Sequence, residues 1–195
     1  MSQLPEKDLS SDSNYYDWMK DIWLYVEPAY AAFYAWAKQR CEGEITDLGC
    51  GDGNVGRAIG ATHFYDYIQA EEWIKPIDLM SSSIPPLQGD TFILSHVLEH
   101  LTDPKTALKN LFTALKSGDR LIICVPNGNN PESTALPFQQ YIPSNDGTAK
   151  HIHHVYAWTS ADLYNTLLGQ GWVSVEIATA NVCGFDCIWA LAIKP

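Results

Sequence analysis

Residues Glu44 to Gly56 read EITDLGCGDGNVG: β-favouring residues, an acid, and then glycines at positions 49, 51, 53 and 56. Glycines in such number directly after a strand mark a backbone that turns sharply, enters the left-handed region and lets another group approach closely. In an open α/β sheet that turn is where a nucleotide-like ligand lies, beyond the carboxyl ends of the strands. Two readings fit the letters. Gly51, Gly53 and Gly56 spell G-x-G-x-x-G, the pattern that sets a pyrophosphate against a helix N-terminus in nicotinamide-linked oxidoreductases. Read from Asp47, the stretch is D-x-G-x-G-x-G over Asp47, Gly49, Gly51 and Gly53, in which an acid belongs to the site and suits a ligand carrying an ammonium.

The elements around this turn alternate. EITDL reads as a strand, NVGRAIGAT as a short helix, DYIQAE as a strand, IKPIDLM as a short strand and TFILS as another. Asp103 and Pro104 form an N-cap and first-turn pair for a helix whose face carries Ala107, Leu108, Leu111, Phe112 and Leu115 and which ends near Gly118. RLIICV is a continuous apolar run, as expected of a central strand covered on both faces. Thr159 or Ser160 caps a helix bearing Leu163, Tyr164, Leu167 and Leu168, and WVSVEIATA and CIWALAIKP close the chain as strands. The predicted fold is therefore α/β: a doubly wound, mostly parallel, Rossmann-like sheet with a C-terminal antiparallel hairpin and an N-terminal helical segment.

That N-terminal segment spans residues 14–40. Met19, Ile22, Trp23 and Val26 share one helical face, and Tyr30, Phe33, Tyr34 and Ala37 a second, with Pro28 between them; aromatics at this spacing read as core. Residues 1–13 are polar and expected to be disordered, leaving 14–195 as one domain. The irregular piece over 127–154 is too long for a simple connection and reads as a lid over the acceptor side of the cleft.

Composition limits the partners. A formal charge of −11 argues against a nucleic-acid backbone, whose phosphates need Lys and Arg. No apolar stretch approaches the ~20 residues that span a bilayer, and the start lacks the features of a secretory signal, so a cytoplasmic location is expected. Five cysteines without a C-x-x-C pair do not make a disulfide framework; Cys183 and Cys187 read as small core or loop residues.

Four segments in order, ITDLGCGDG, TFILSHVLEHLTDP, ALKSGDRLIICVPN and HHVYAWTSADLYNTLLGQGWVSVEI, resemble the class I S-adenosylmethionine-dependent methyltransferases. The resemblance implies an enzyme that transfers a methyl group from S-adenosylmethionine to a small molecule. It implies that Asp47, Gly49, Cys50, Gly51 and Gly53 approach the methionine end of the cofactor. It also implies that an acid at the end of the second strand receives the ribose hydroxyls. Glu71 stands at the usual distance, with Glu72 as fallback. Met80 and Ser81 occupy the region where a third-strand acid often contacts adenine, and Ser95 and His96 follow the fourth strand. Two departures are visible: no acid is found in that third-strand position, and too few residues separate Glu71 from Thr91 for the usual intervening helix.

Methyl transfer needs positioning, and a general base only where the nucleophile holds a proton. Histidine is the natural base near neutral pH. His96, His153, His154 and Tyr156 are the catalytic candidates, and the histidines give O-methylation a slight preference over N-methylation. Certain members of the superfamily carry E-x-x-E-H at this strand end and bind a divalent ion. Here His96-x-x-Glu99-His100 replaces the first Glu, and the L-E-H element is common in members without metal, so no metal is expected. The alternative function is a methyltransferase-like protein that binds the cofactor or a partner without turnover.

Overall fold

The computed structural model describes residues 30–129, 154–182 and 185–195. Among these, seven strands form one sheet: β1 (Ile45–Leu48), β2 (His63–Asp66), β3 (Lys75–Pro76), β4 (Thr91–Ser95), β5 (Arg120–Pro126), β6 (Val173–Val182) and β7 (Phe185–Ile193). Their order is β3-β2-β1-β4-β5-β7-β6. Strands β1 to β5 run parallel, and β7 enters antiparallel between β5 and β6. Strand order reverses between β1 and β4, which places the switch point above Leu48 and Ser95.

Both faces of the sheet are covered, and Leu121 to Val125 of β5 are buried on each side. Leu121, Ile123 and Val125 join Ile188, Ala190 and Ala192 against α3 (Pro104–Ala114) and α4 (Ser160–Gly169). Ile122 and Cys124 face the other way with Cys187, Trp189 and Leu191, and meet Phe33, Tyr34 and Ala37 of α1, a helical segment over residues 30–38. That second face is the one expected for Tyr30 to Ala37. The first face, Met19 to Val26, lies outside the described residues, as do residues 1–29 as a whole.

Local chemistry sets the helix ends. The Asp103 carboxylate accepts from the Thr106 amide at 3.1 Å and Pro104 opens α3. The Thr159 hydroxyl accepts from the Asp162 amide at 3.0 Å to start α4. Leu163 and Leu167 are buried, but Tyr164 and Leu168 stay exposed, so the inward stripe of α4 is narrower than its sequence suggests.

The largest correction concerns β2. Helix α2 (Asn54–Ile59) has only six residues and stops at Gly60, which holds φ 107° and turns its amide back to the Gly56 carbonyl. The chain reaches the sheet early, so HFYD rather than DYIQAE forms β2. No helix lies between β2 and β3, the departure anticipated from the spacing, and β3 is only two residues long.

The turn after β1 is packed against the turn after β4. Gly49 has φ 70°, and a Cβ there would come within 2.4 Å of a Val97 methyl. Gly49→Ala should therefore cost backbone strain and overpacking together, about 2–4 kcal/mol in urea unfolding. Gly60→Ala, whose Cβ would meet nothing within 4 Å, should cost only the backbone share, about 1–2 kcal/mol. Equal losses at the two positions would refute the close approach of the two turns.

Candidate active site

The glycine turn is hung on β2 by its amides. Gly49 and Cys50 both donate to the Tyr65 carbonyl, at 2.7 and 3.0 Å. The Gly51 amide donates to Asp66 Oδ2 at 2.8 Å, while Asp66 Oδ1 accepts from Ile68 at 3.0 Å. Gly49, Gly51 and Gly53 all hold left-handed φ, between 54° and 75°. A Cβ on Gly51 would meet nothing within 4 Å, so that glycine borders open space.

Beneath the turn, Asp47 is 1% exposed and accepts from the Gly56 amide at 2.9 Å. Burial pushes its carboxyl from the ordinary 3.8 up to about 7, against the pull of the Gly56 amide and with help from the charges of Asp66 and Asp52. Gly56 packs so closely on this carboxylate that a Cβ would lie 2.5 Å from Oδ2.

Gly51, Asp52, Asn54, Arg57, Ala70, Glu71 and Trp73 line a cleft of about 330 Å³. Trp73 is its aromatic wall. Its ring meets Phe64 edge to face at 5.1 Å, and the Arg57 guanidinium lies 5.0 Å over it.

Across the switch point His96 follows β4 with φ 55°, a left-handed conformation rare for a residue with a side chain. Its amide donates to the Cys124 carbonyl at 2.8 Å. The ring is held at both nitrogens: Nδ1 lies 3.0 Å from Glu99 Oε1 and Nε2 lies 2.8 Å from the Tyr30 hydroxyl. Glu99, on the short 3-10 turn Leu98–His100, is 1% exposed, and its Oε2 has no hydrogen bond among the described residues. Burial opposes charge on both partners, but their hydrogen bonds outweigh it. His96 is pushed up to about 10 by Cys187 and then by Glu99, and Glu99 is held below its usual range by His96. His100 and His154 meet edge to face at 5.0 Å beside them.

The family profile described as "Methyltransferase domain" matches residues 23–177. The chain belongs to the methyltransferase-domain family. No curated protein matches it in sequence. Its fold is shared with PigF bound to SAH (TM-score 0.61, 18% identity, 91% of this chain and 67% of PigF). It is shared with the S-adenosylmethionine-dependent methyltransferase SibL in its apo form (0.66, 16%, 98% and 64%). A third is the 1,6-didemethyltoxoflavin-N1-methyltransferase of Burkholderia thailandensis, with 1,6-didemethyltoxoflavin and S-adenosylhomocysteine bound (0.62, 15%, 97% and 93%). The chain thus spans about two thirds of the first two and nearly all of the third.

Within this methyltransferase domain the residues singled out from sequence fall into three groups. Gly49, Cys50, Gly51 and Gly53 form the turn, and Ser95 and His96 stand opposite at the end of β4. Asp47 lies under the turn with its carboxylate on the Gly56 amide. Glu71 lines the cleft, but five residues past the end of β2; the acid at that strand end is Asp66. Met80 packs against the core beside α3, and the Ser81 hydroxyl accepts from the Ser83 amide at 3.2 Å. Tyr156 is turned to α4, its hydroxyl donating to Asp162 at 2.9 Å. His154 meets His100, whereas His153 and residues 130–153 generally, including most of the expected lid, lie outside the described residues, as does Cys183.

Two acids escaped the sequence reading. Asp66 was hidden by the assumption of a longer α2; the signal was Gly60, a helix stop, followed by the β-favouring Phe64 and Tyr65. Asp78 follows β3 by two residues and accepts from the Met80 amide at 2.8 Å, so an acid does stand where none was expected.

The buried Asp47 carries a pH signature. Its folded value lies above that of an unfolded aspartate, so its contribution to stability is intact below about pH 4 and is lost as pH rises toward 7, by at most about 1.4 kcal/mol per pH unit. Asp47→Asn keeps an acceptor for Gly56 and removes the titration. Chemical unfolding between pH 4 and 7 should show a flatter profile for the variant than for the parent protein, and parallel profiles would contradict the burial-raised carboxyl.

Proposed function

We infer that this domain transfers the methyl group of S-adenosylmethionine to a small-molecule acceptor. The observation that carries the reading is Gly51, left-handed and bordering open space at the switch point, with two acids and an aromatic wall around it. The fit to such a cofactor is chemical. Ribose hydroxyls need acceptors, which Asp66 at the end of β2 and Glu71 in the cleft supply. Adenine needs an apolar face, which Trp73 supplies, and a polar contact, for which Asp78 is placed after β3. Bound there, S-adenosylmethionine supplies an electrophilic methyl on a sulfonium.

The chain's own part is to position and to exclude water. Asp47 fixes the glycine turn from below. His96, held by Glu99 and charged at neutral pH, is not a free base; it sets the wall of the cleft on the β4 side. His154, next to His100, is the proton acceptor for an oxygen or nitrogen nucleophile. The acidic surface, with a net charge of −11, supports a small acceptor over a nucleic acid. The missing helix between β2 and β3 favours one other reading, a cofactor-binding relative without turnover.

Calorimetry should find S-adenosylhomocysteine bound with micromolar affinity and no binding of NAD. Asp66→Ala and Glu71→Ala should each weaken it about ten- to hundredfold, as expected for losing a hydrogen bond to a charged group worth roughly 1.5–3 kcal/mol. Binding of NAD in place of S-adenosylhomocysteine would overturn the proposal. With an acceptor in hand, His154→Ala should lower turnover by about 10²–10⁴-fold at unchanged cofactor affinity; binding without turnover for any acceptor would favour the second reading.

A further inference from the structure

We propose that His96, Cys124 and Cys187 form a binding site for a soft divalent cation of the zinc type. The three ligand atoms come from the turn after β4, from β5 and from β7, and all lie within 4.8 Å of one another. Cys124 and Cys187 are fully buried, at 0% and 1% exposure, while the His96 side chain keeps 27%, which leaves an entry path.

The sulfur–nitrogen separation is that of a tetrahedral site, and the other donor pairs lie within 4.8 Å. An ion with metal–sulfur bonds of about 2.3 Å and a metal–nitrogen bond of about 2.05 Å holds the two donors about 3.6 Å apart. Cys124 Sγ and His96 Nε2 are 3.6 Å apart.

The two thiols are placed for bridging by an ion rather than by a bond. Cys187 pairs with Pro126 across the β5–β7 ladder, so it lies diagonal to Cys124 on the same face. Diagonal neighbours have Cα atoms about 7–8 Å apart, whereas a disulfide usually needs about 4.4–6.8 Å.

The imidazole is also prepared. Nδ1 donates its hydrogen bond to Glu99, so that Nε2, once it gives up its proton, turns its lone pair toward the sulfurs, and a carboxylate behind a histidine is the usual support of a metal-bound imidazole. His96 holds this position with a left-handed backbone, a strained conformation of the kind that clusters at functional sites. An ion takes the place of the Tyr30 hydroxyl at Nε2. Binding releases to solvent the protons held by the thiols and by Nε2 of the charged imidazole, and the neutral imidazole that results still donates its Nδ1 proton to Glu99.

A second cluster, Glu99, His100 and His154, adjoins the first and offers only oxygen and nitrogen. Two thiolates with one imidazole suit zinc or cobalt over the magnesium or calcium that carboxylates attract.

The full chain, stripped with a chelator under reducing conditions, is titrated with Zn²⁺ and, separately, Co²⁺. One equivalent of Zn²⁺ should bind, and Co²⁺ should produce a thiolate-to-cobalt charge-transfer band, a readout on the unaltered protein. Cys124→Ala and Cys187→Ala should each lose the band, with circular dichroism checking that they fold. Glu99→Gln should weaken binding about 10–100-fold while keeping the band, and His100→Ala should leave both unchanged. Absence of the band in the parent protein overturns the site. So does binding that survives the cysteine changes and is lost with His100→Ala, which moves the ion to the neighbouring cluster.

Discussion

Two carboxylates hold the glycine turn, and the site depends on them. Asp66 grips the Gly51 amide from the end of β2, and Asp47 grips the Gly56 amide from within β1. Between these anchors three left-handed glycines carry the backbone around the switch point, close enough to Val97 that the turns after β1 and β4 form a single wall. A charged or polar acceptor aimed at a backbone amide is a strong contact in a dry setting. Asp47 is dry enough that its proton becomes part of the arrangement, since burial brings its carboxyl to about 7. The turn is thus rigid from below and open on the Gly51 side.

Opposite the turn, the side chains after β4 are arranged by one buried acid. Glu99 holds His96 through Nδ1, and its own carbonyl accepts from Val155 and Tyr156 at 2.7 and 3.1 Å, which brings the segment with His154 back to the site. A single residue therefore couples β4, the short turn that follows it and the approach to α4. The histidines gathered there do not play equal parts: His96 is committed to Glu99, while His154 and His100 face each other.

How much of this the sequence carries depends on whether the determinant is local. β4 and β5 were legible because TFILS is a short β-favouring segment and RLIICV a continuous apolar run, and both are buried over most of their length. α3 was legible from Asp103 and Pro104, whose chemistry starts a helix without help from elsewhere. The turn was legible because four glycines in eight residues have few other uses. β2 was misplaced because its position depends on how soon α2 ends, and a six-residue helix looks like the beginning of a longer one. Asp66 was missed for the same reason, and Asp78 because β3 is only two residues long, so that the acid falls just past the strand rather than within the one read over IKPIDLM. The grouping of His96 with Cys124 and Cys187 was invisible, since nothing in three distant segments states that β7 inserts beside β5. Cys187 read as a plain core residue from its strand alone.

In the proposed function the open side of the glycine turn receives the cofactor. Amide chemical shifts of ¹⁵N-labelled protein, followed while S-adenosylhomocysteine is added, test it most directly. The largest saturable changes should fall on Gly51, Gly53, Ile68 and the Trp73 indole, with the Gly56 amide moving little because Asp47 already holds it. Changes absent from the turn, or confined to residues away from the ends of β1, β2 and β4, would contradict it.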